Sequence, residues 1–260
     1  MRRIGDYVVE HALDAHTFLA THVVLPRRAR VTIAPREHAV EALREACLLE
    51  ALHHAGVPRI YECGLLSDRR PWLAVELVDG EPVGRLSVAG VVALLRDVAE
   101  ILDHAHRRGV VHGNLRGEAI VRTPLRRGFP VCLLDWGRAR VGDAKADDLR
   151  ALGEVAHVAL VGSLAPIAQR APGAPPRLTT LLARLAAGSL TAAQVQAEAA
   201  ALIELVDAEA PLDDAGALAE EVELVELAPE PPRIRWTPPH GSPMPAAGTP
   251  IAMLSRRGPR

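Results

Sequence analysis

Two short segments of the 260-residue chain carry the side chains whose types and spacing could do chemistry. The first, residues 110–121, reads VVHGNLRGEAIV, and the second, residues 134–140, reads LDWGRAR. Asp135 in the second segment is a carboxylate of the kind that ligates hard cations such as Mg²⁺. In the first segment, Asn114 cannot accept a proton as a carboxylate base does, and Ala119 has no side-chain atom that could ligate a metal.

The pattern before these segments predicts a small lobe of strands with one helix. Residues 28–33 alternate polar and apolar, as in a half-buried strand, and residues 7–24 predict two strands around a turn near Asp14. Further strands are expected at residues 58–63 and 71–77. A helix is predicted over residues 37–53. Its apolar stripe, which should face the core, consists of Val40, Leu43, Cys47 and Leu48.

The following part of the chain should be mostly helical. Its predicted helices span residues 91–107, 147–160, 176–187 and 191–205. Gly109 should end the first of them, and Thr191 is a candidate N-cap of the last. Between the first two helices we expect short strands at residues 119–121 and 131–134, joined by a solvated basic turn at residues 126–127.

Composition excludes some classes of protein. The formal net charge is −2, so nothing global indicates nucleic acid or a membrane surface as a partner. No apolar stretch approaches the ~20 residues needed to cross a bilayer. The three cysteines form no Cys-x-x-Cys pair, which argues against a zinc site or disulfide framework. We expect each cysteine to be a small core residue. Because this cysteine usage fits a reducing compartment, we expect a cytoplasmic, soluble protein.

The C-terminal part differs in character from the rest. We interpret residues 206–230, which are rich in acids, as a linker or a docking segment. Residues 231–260 are rich in Pro and Arg and are expected to be disordered, because they hold too few core-forming residues to offset the entropy of ordering. A docking motif is a hypothesis for three of their residues, because Trp and Arg are favoured interface anchors. These are Arg233, Arg235 and Trp236.

The segments at residues 110–121 and 134–140 resemble the catalytic and metal-binding loops of the protein kinase family, which read roughly VVHRDLKPENIL and LDFGLAR. The resemblance, to bacterial eukaryotic-type Ser/Thr protein kinases, covers about residues 5–205. It implies a two-lobed α+β protein kinase-like fold. The domain would span residues 1–205, with an N-lobe of residues 1–80 and a C-lobe of residues 81–205.

The resemblance also assigns positions to individual residues. Glu45 matches the glutamate of the kinase helix C, and Asp148 matches the structural aspartate that begins a buried C-lobe helix. Glu76, Leu77 and Val78 match the hinge whose backbone meets an adenine ring in kinases. A nucleotide cleft would therefore contain Glu45 and the hinge residues, with Asp135 as its metal ligand.

Most of the residues that transfer phosphate in kinases are replaced. Asn114 stands at the catalytic Asp position, Ala119 at the second-metal Asn position, and Ala34 at the position predicted for the third-strand lysine. The glycine-rich loop position, residues 13–20, contains no glycine. The interval from Asp135 to Asp148 is several-fold shorter than a kinase activation segment, which removes the platform for a peptide substrate.

These losses predict a pseudokinase: a catalytically inactive protein that binds another protein as a scaffold or regulator. No cofactor is expected. An alternative is a divergent Ser/Thr protein kinase in which Asp135 and Glu118 supply carboxylates and Arg28, Arg30 or Arg44 replaces the lysine. Another alternative is a sensor that binds ATP or ADP weakly, with or without Mg²⁺. The sequence does not identify the partner or the oligomeric state.

Overall fold

The computed structural model describes residues 2–163, 167 and 174–209. The first lobe is built on a six-stranded antiparallel sheet with the order β1-β2-β3-β4-β6-β5. Its strands are β1 (Arg3–Ile4), β2 (Tyr7–Ala12), β3 (Thr17–His22), β4 (Arg28–Ile33), β5 (Ile60–Leu65) and β6 (Pro71–Glu76). Alternate residues of β4, namely Ala29, Val31 and Ile33, are buried in a small core on one side of the sheet. The opposite side of β4 carries Arg28, Arg30 and Thr32.

Helix α1 (Ala39–Ala51) contacts β5 and β6, but it does not use the face that was predicted. Its buried residues are Ala42, Ala46, Leu48 and Leu49. Val40 and Leu43 are 65% and 41% exposed, and Cys47 is also exposed. The predicted buried stripe is therefore wrong apart from Leu48. The alanines of the true inner face let the helix lie close to the sheet.

The second lobe is organised around α2 (Val88–Arg107). The Ser87 hydroxyl caps its N-terminus by accepting a hydrogen bond from Gly90 N–H at 3.1 Å. Gly109 follows its C-terminus with φ +73° and donates its N–H to His106 O, as predicted for a residue that ends the helix. The other helices are α3 (Lys145–Val161), α4 (Pro176–Ala186) and α5 (Ala192–Glu209). Thr191 caps α5, since its hydroxyl accepts from Gln194 N–H at 3.3 Å.

Short strands between these helices position the loops of the candidate site. They are β7 (Glu81–Pro82), β8 (Val110–Val111), β9 (Ile120–Arg122), β10 (Val131–Leu133) and β11 (Arg140–Val141). Strand β9 pairs with both β10 and β7, and β11 pairs with β8, all antiparallel. The predicted strands at 119–121 and 131–134 correspond to β9 and β10.

One continuous apolar core connects the two lobes. It includes Ala46 and Leu49 of α1, Val75 of β6, and Val98 and Leu102 of α2. The architecture is the predicted two-lobed α+β fold, with a sheet and one helix in the small lobe and mainly helices in the large one. The inner face of α1 is thus buried against both its own sheet and the other lobe.

The compact unit that contains these elements ends at Ala210. Helix α5 continues to Glu209, past the predicted domain limit at residue 205. The rest of the predicted acidic segment, the predicted disordered tail and the candidate docking residues Arg233, Arg235 and Trp236 lie outside the described residues. None of the helices that the structure describes is both long and apolar enough to span a membrane.

Candidate functional site

A buried carboxylate, Asp148, fixes the loop that follows β8. It lies in the first turn of α3 and accepts hydrogen bonds from His112 N–H at 2.9 Å and Gly113 N–H at 2.8 Å. His106 Nε2 on α2 lies 2.9 Å from its Oδ2. Burial acts to raise the pKa of Asp148, but the donors of His106, Gly113 and His112 outweigh it and hold that pKa below its usual value.

His112 is a structural residue of this loop. It is fully buried, its Nε2 donates to Leu134 O at 2.9 Å, and its Nδ1 accepts from Asn114 N–H at 3.2 Å. The ring stacks edge-on against Trp136, with centroids 4.6 Å apart. Burial lowers the pKa of His112, so the neutral ring is favoured. Both nitrogens of that neutral ring have partners, which leaves neither for proton transfer to a substrate.

Asp135 lies two residues after the end of β10, with φ +61° and ψ +51°. Such a left-handed conformation is uncommon for a residue other than glycine and is often found at functional sites. Its Oδ1 lies 3.5 Å from Arg30 Nη1, and its Oδ2 forms an ion pair with Arg116 Nη2. The Asp135 side chain is 29% exposed. Each of its oxygens therefore already has a guanidinium partner, one from each lobe.

The register of the sheet brings Arg30, one of the three arginines named above as a possible replacement for the lysine, to the site. Arg30 lies within β4 opposite Val75 of β6, on the face turned towards α1 and Asp135. Ala34 follows the end of β4, where its N–H donates to Pro71 O at 2.9 Å. The alternation of polar and apolar residues over 28–33 already indicated this, because it puts Arg28 and Arg30 on the same face of the strand.

Glu45 points from α1 into the same site. A Cβ atom on Gly137 would lie 3.3 Å from its Oε2, so the carboxylate packs directly against the backbone after Asp135. Burial raises the pKa of Glu45, with Arg30 acting to lower it and Asp135 to raise it. Within the described part of the chain it has no ion-pair partner within 4.0 Å. Burial that no close cation offsets disfavours the charged form of a carboxyl group.

The turn between β2 and β3 holds a carboxylate where a phosphate-binding loop would offer donors. Asp14 Oδ1 accepts hydrogen bonds from His16 N–H at 2.7 Å and Thr17 N–H at 2.9 Å. These bonds hold the pKa of Asp14 below its usual value. Backbone N–H groups of this kind bind anions when they are free. Here Asp14 occupies them with its own negative charge.

The predicted hinge begins at Glu76, the last residue of β6. Its N–H donates to Arg59 O, and its carboxylate binds Arg127 through both oxygens. The Glu76 side chain therefore belongs to a charged contact behind the hinge. Leu77 and Val78 are half-buried, and neither donates its N–H to another backbone group among the described residues. This is what the hinge prediction requires of both amides.

Arg127 is a residue that sequence reasoning misread. The predicted solvated turn holds only for Arg126, which is 76% exposed and pairs with Asp79 at 3.1 Å. The Arg127 side chain is 14% exposed and also donates to Ala55 O at 3.0 Å. No local pattern could have indicated this, because its carboxylate partner, Glu76, is 51 positions away in the sequence.

Comparison with known proteins agrees with the fold. A model of the APH "Phosphotransferase enzyme family" matches residues 8–127. "Serine/threonine-protein kinase pkn2" of Myxococcus xanthus is 30% identical over 141 residues, which is 50% of this chain and 17% of that protein. PknJ of Mycobacterium tuberculosis, also named a serine/threonine-protein kinase, is 26% identical over 185 residues, covering 65% of this chain and 30% of that protein. The chain thus spans less than a third of the length of these relatives.

Among solved structures, the PknI kinase domain of Mycobacterium tuberculosis (C20A mutant) shares the fold, with a TM-score of 0.61 and 23% identity. The match covers 79% of this chain and 97% of that domain. This chain is a member of the protein kinase-like superfamily.

In this kinase-like chain, the position that supplies the second metal ligand in kinases holds Ala119. Ala119 is fully buried, and its carbonyl accepts from Leu134 N–H at 2.7 Å. Asn114 is half-buried. Glu118 is exposed and lies 3.8 Å from Arg116 Nε. Within residues 2–163, 167 and 174–209, no group of three His, Cys, Asp or Glu side chains is placed to hold a metal ion.

The kinase-like chain also returns directly from Asp135 to the anchoring helix. Strand β11 pairs with β8, and Gly142 N–H donates to Gly109 O at 3.0 Å, so the segment is tied down before α3 begins. Asp148 then binds the loop after β8 from the first turn of α3. The segment that would dock a peptide substrate is replaced by this short connection.

Proposed function

We propose that this protein is a pseudokinase, which does not transfer phosphate and acts by binding another protein. The observation that carries the proposal is the double engagement of Asp135 by Arg30 and Arg116. Kinase-type phosphoryl transfer uses metal ions, held by this aspartate, to neutralise the phosphates. Here a metal ion would have to displace two guanidinium groups and would find no second side-chain ligand at Ala119.

Two further sites support the loss of catalysis. Asn114 cannot accept the proton of an attacking hydroxyl, whereas a carboxylate at that position can. Asp14 satisfies the amides of the β2–β3 turn and places a negative charge where phosphates would lie. Because these losses are independent of one another, restoring one residue would not restore the reaction.

Transfer of radiolabelled phosphate from ATP tests the catalytic part of the proposal. The protein is incubated with Mg²⁺ or Mn²⁺ and a generic protein substrate, beside an active Ser/Thr protein kinase as the positive control. We expect no label above that of the Asp135→Asn variant. Transfer that Asp135→Asn abolishes would overturn the proposal and favour the divergent Ser/Thr kinase that the names of the relatives suggest.

The scaffold part of the proposal rests on surface chemistry. Val40 and Leu43 form an exposed apolar strip on α1, and the sequence of the tail offers Trp236 with Arg233 and Arg235. Pull-downs with Leu43→Glu and with Trp236→Ala, each compared with wild type by quantitative mass spectrometry, test both. Retention of every wild-type partner by both variants would remove these two surfaces from the proposal. The unpaired cysteines suit a reducing compartment, so we place the protein in the cytoplasm.

A nucleotide sensor is a second candidate, favoured by the free amides of Leu77 and Val78. Arg30 and Arg116 could then face phosphates without a metal, because guanidinium pairs well with phosphate. Thermal unfolding with ATP or ADP, with and without Mg²⁺, separates the candidates. A ligand at a hundred-fold excess over its Kd adds about 2.7 kcal/mol of stability. A shift that does not need metal supports the sensor, and no shift supports the scaffold.

A further inference from the structure

We infer that ion pairs in front of and behind the hinge hold the two lobes in one fixed arrangement that needs no bound ligand. The front contact joins Arg30 of the small lobe to Asp135 of the large lobe, which also binds Arg116 of its own lobe. The rear contact joins Glu76 of the small lobe to Arg127 of the large lobe. Opening the lobes in either direction about Leu77 and Val78 would separate at least one of these pairs.

In the front contact, the carboxylate comes from the large lobe and is shared between the lobes. Arg116 holds one oxygen of Asp135 from within the same lobe, which orients the carboxylate. Arg30 reaches the other oxygen from β4. Two guanidinium groups on one carboxylate leave no net negative charge for a metal ion. The charge of the Asp135 carboxylate is therefore balanced without nucleotide or metal.

The rear contact is the more buried of the two and uses most of the donors of one side chain. Arg127 Nη2 lies 3.0 Å from Glu76 Oε2, and Nη1 binds Oε1, which gives the paired geometry of an arginine–carboxylate fork. Arg127 also donates to Ala55 O at 3.0 Å and to Val57 O at 3.4 Å. A single side chain from the β9–β10 turn thus binds both the end of β6 and the loop after α1.

A backbone hydrogen bond crosses between the lobes at the same place. Leu133 N–H on β10 donates to Gly56 O, in the loop between α1 and β5, at 2.8 Å. A Cβ atom at Gly56 would lie 2.4 Å from Ile101 Cδ1, so this loop rests directly on α2. Because the Leu133 amide is protected only while the lobes stay together, its hydrogen exchange reports on their separation.

Native-state amide hydrogen exchange by NMR on the full chain tests the inference. The rate at Leu133 is compared with rates at Leu95 and Val98, buried in the middle of α2, which exchange only on global unfolding. In the wild type we expect the protection factors to agree within about threefold. In Arg127→Met and in Asp135→Asn, we expect Leu133 to exchange at least about tenfold faster relative to α2.

The matched controls are Arg126→Met and Glu118→Gln. Arg126 is the sequence neighbour of Arg127 with an exposed partner, and Glu118 is an exposed carboxylate near Arg116. Both should leave the Leu133-to-α2 ratio at the wild-type value. Glu76→Gln provides a second probe of the rear contact if Arg127→Met does not fold.

Two results would overturn the inference. One is a wild-type Leu133 amide that exchanges more than about tenfold faster than α2, since the lobes would then separate in the native state. The other is an unchanged ratio in both Asp135→Asn and the rear variant, since the apolar core alone would then hold the lobes. Addition of ATP or ADP should not change the wild-type ratio, whether or not nucleotide binds.

Discussion

Arg30 Nη1 lies 3.5 Å from Asp135 Oδ1, although the two residues are 105 positions apart in the sequence. In an active kinase, the corresponding aspartate binds a metal ion. In this protein, Asp135 accepts from two guanidinium groups, those of Arg30 and Arg116. Side chains of the protein thus satisfy a charge that a nucleotide complex would otherwise have to balance.

Replacing Asp135 should therefore reduce stability. We expect Asp135→Asn to lower the free energy of unfolding by about 1–2 kcal/mol, because hydrogen bonds to charged groups are strong but this carboxylate is partly exposed. Urea denaturation measures the change. The control is Glu118→Gln, which removes an exposed charge near the same Arg116 and should cost less than about 0.5 kcal/mol. Equal midpoints for Asp135→Asn and wild type would show that the site holds no stabilising pair.

Asp148 should contribute more, because three donors converge on a buried carboxylate. In Asp148→Asn, the amide group would replace one acceptor oxygen and face an N–H of the loop or His106 Nε2. We expect a loss of about 2–4 kcal/mol from the buried, unsatisfied groups that result. The neighbouring Asp147→Asn serves as a control, since Asp147 is exposed and forms its ion pair with the equally surface-lying Arg150. Similar urea midpoints for the two variants would contradict the anchoring role.

Acidification should destabilise the protein through His112. Burial lowers the pKa of His112 below its unfolded value, so the unfolded state binds more protons. The contribution of His112 to the free energy of unfolding is fully present above its pKa in the unfolded state, about 6.5. It is lost as the pH falls towards the pKa of His112 in the folded state, by at most about 1.4 kcal/mol per pH unit. Burial also lowers the pKa of His54 and His104, which act in the same direction.

Unfolding free energies of wild type and His112→Gln between pH 5 and 7.5 isolate this contribution. We expect the wild type to show the steeper loss on acidification. The comparison cancels the opposite effect of Glu45, whose raised pKa makes its contribution fall as the pH rises. A His112→Gln slope equal to that of wild type would mean that His112 is not held neutral.

The cysteines should differ in reactivity. Burial raises the pKa of the Cys132 thiol to about 12, whereas Cys47 and Cys63 are exposed. Since the thiolate is the reactive form, a disulfide reagent at pH 8 should titrate two thiols rapidly and the third only in denaturant. Cys132→Ser provides the control: two of its thiols should react rapidly, and unfolding should expose no further reactive thiol. Three rapid thiols in the native protein would contradict this burial. The expectation from sequence that all three lie in the core is wrong for Cys47 and Cys63.

The fold was predictable because element order and motif spacing are local properties of the sequence. The inner face of α1 was predicted wrongly. The expected position of Glu45 in the cleft and the expected apolar stripe of this helix pointed to different faces. Glu45 was placed in the cleft, and its helical neighbours at that face are Ala42, Ala46 and Leu49. The predicted stripe of Val40, Leu43 and Cys47 lies on the opposite side. Both faces of α1 carry apolar residues at helical spacing, so periodicity alone could not identify the buried one. The expected position of the Glu45 carboxyl group indicated the inner face better.

The charges of the site were harder to predict, because their roles depend on distant partners. Asp14 and Asp135 were recognised from their positions in the motifs. Arg127 was not, since an arginine in a basic turn is usually solvated and nothing nearby points to Glu76. The motif register put Ala34 at the lysine position and left Arg28, Arg30 and Arg44 open as its replacement. The pleat of β4 brings Arg30 to the carboxylate, and this choice among the three depends on strand pairing.

The apolar core shared by the lobes limits how the protein can be divided. A fragment that ended at Val78 would expose Ala46 and Leu49 of α1, together with Val75 of β6, to water. The complementary fragment would leave the facing side of α2 uncovered. Each half would then present an apolar surface that its own residues cannot cover, which favours aggregation. Deletion analysis of this kinase-like protein should therefore keep residues 2–209 together and shorten the chain only after residue 209.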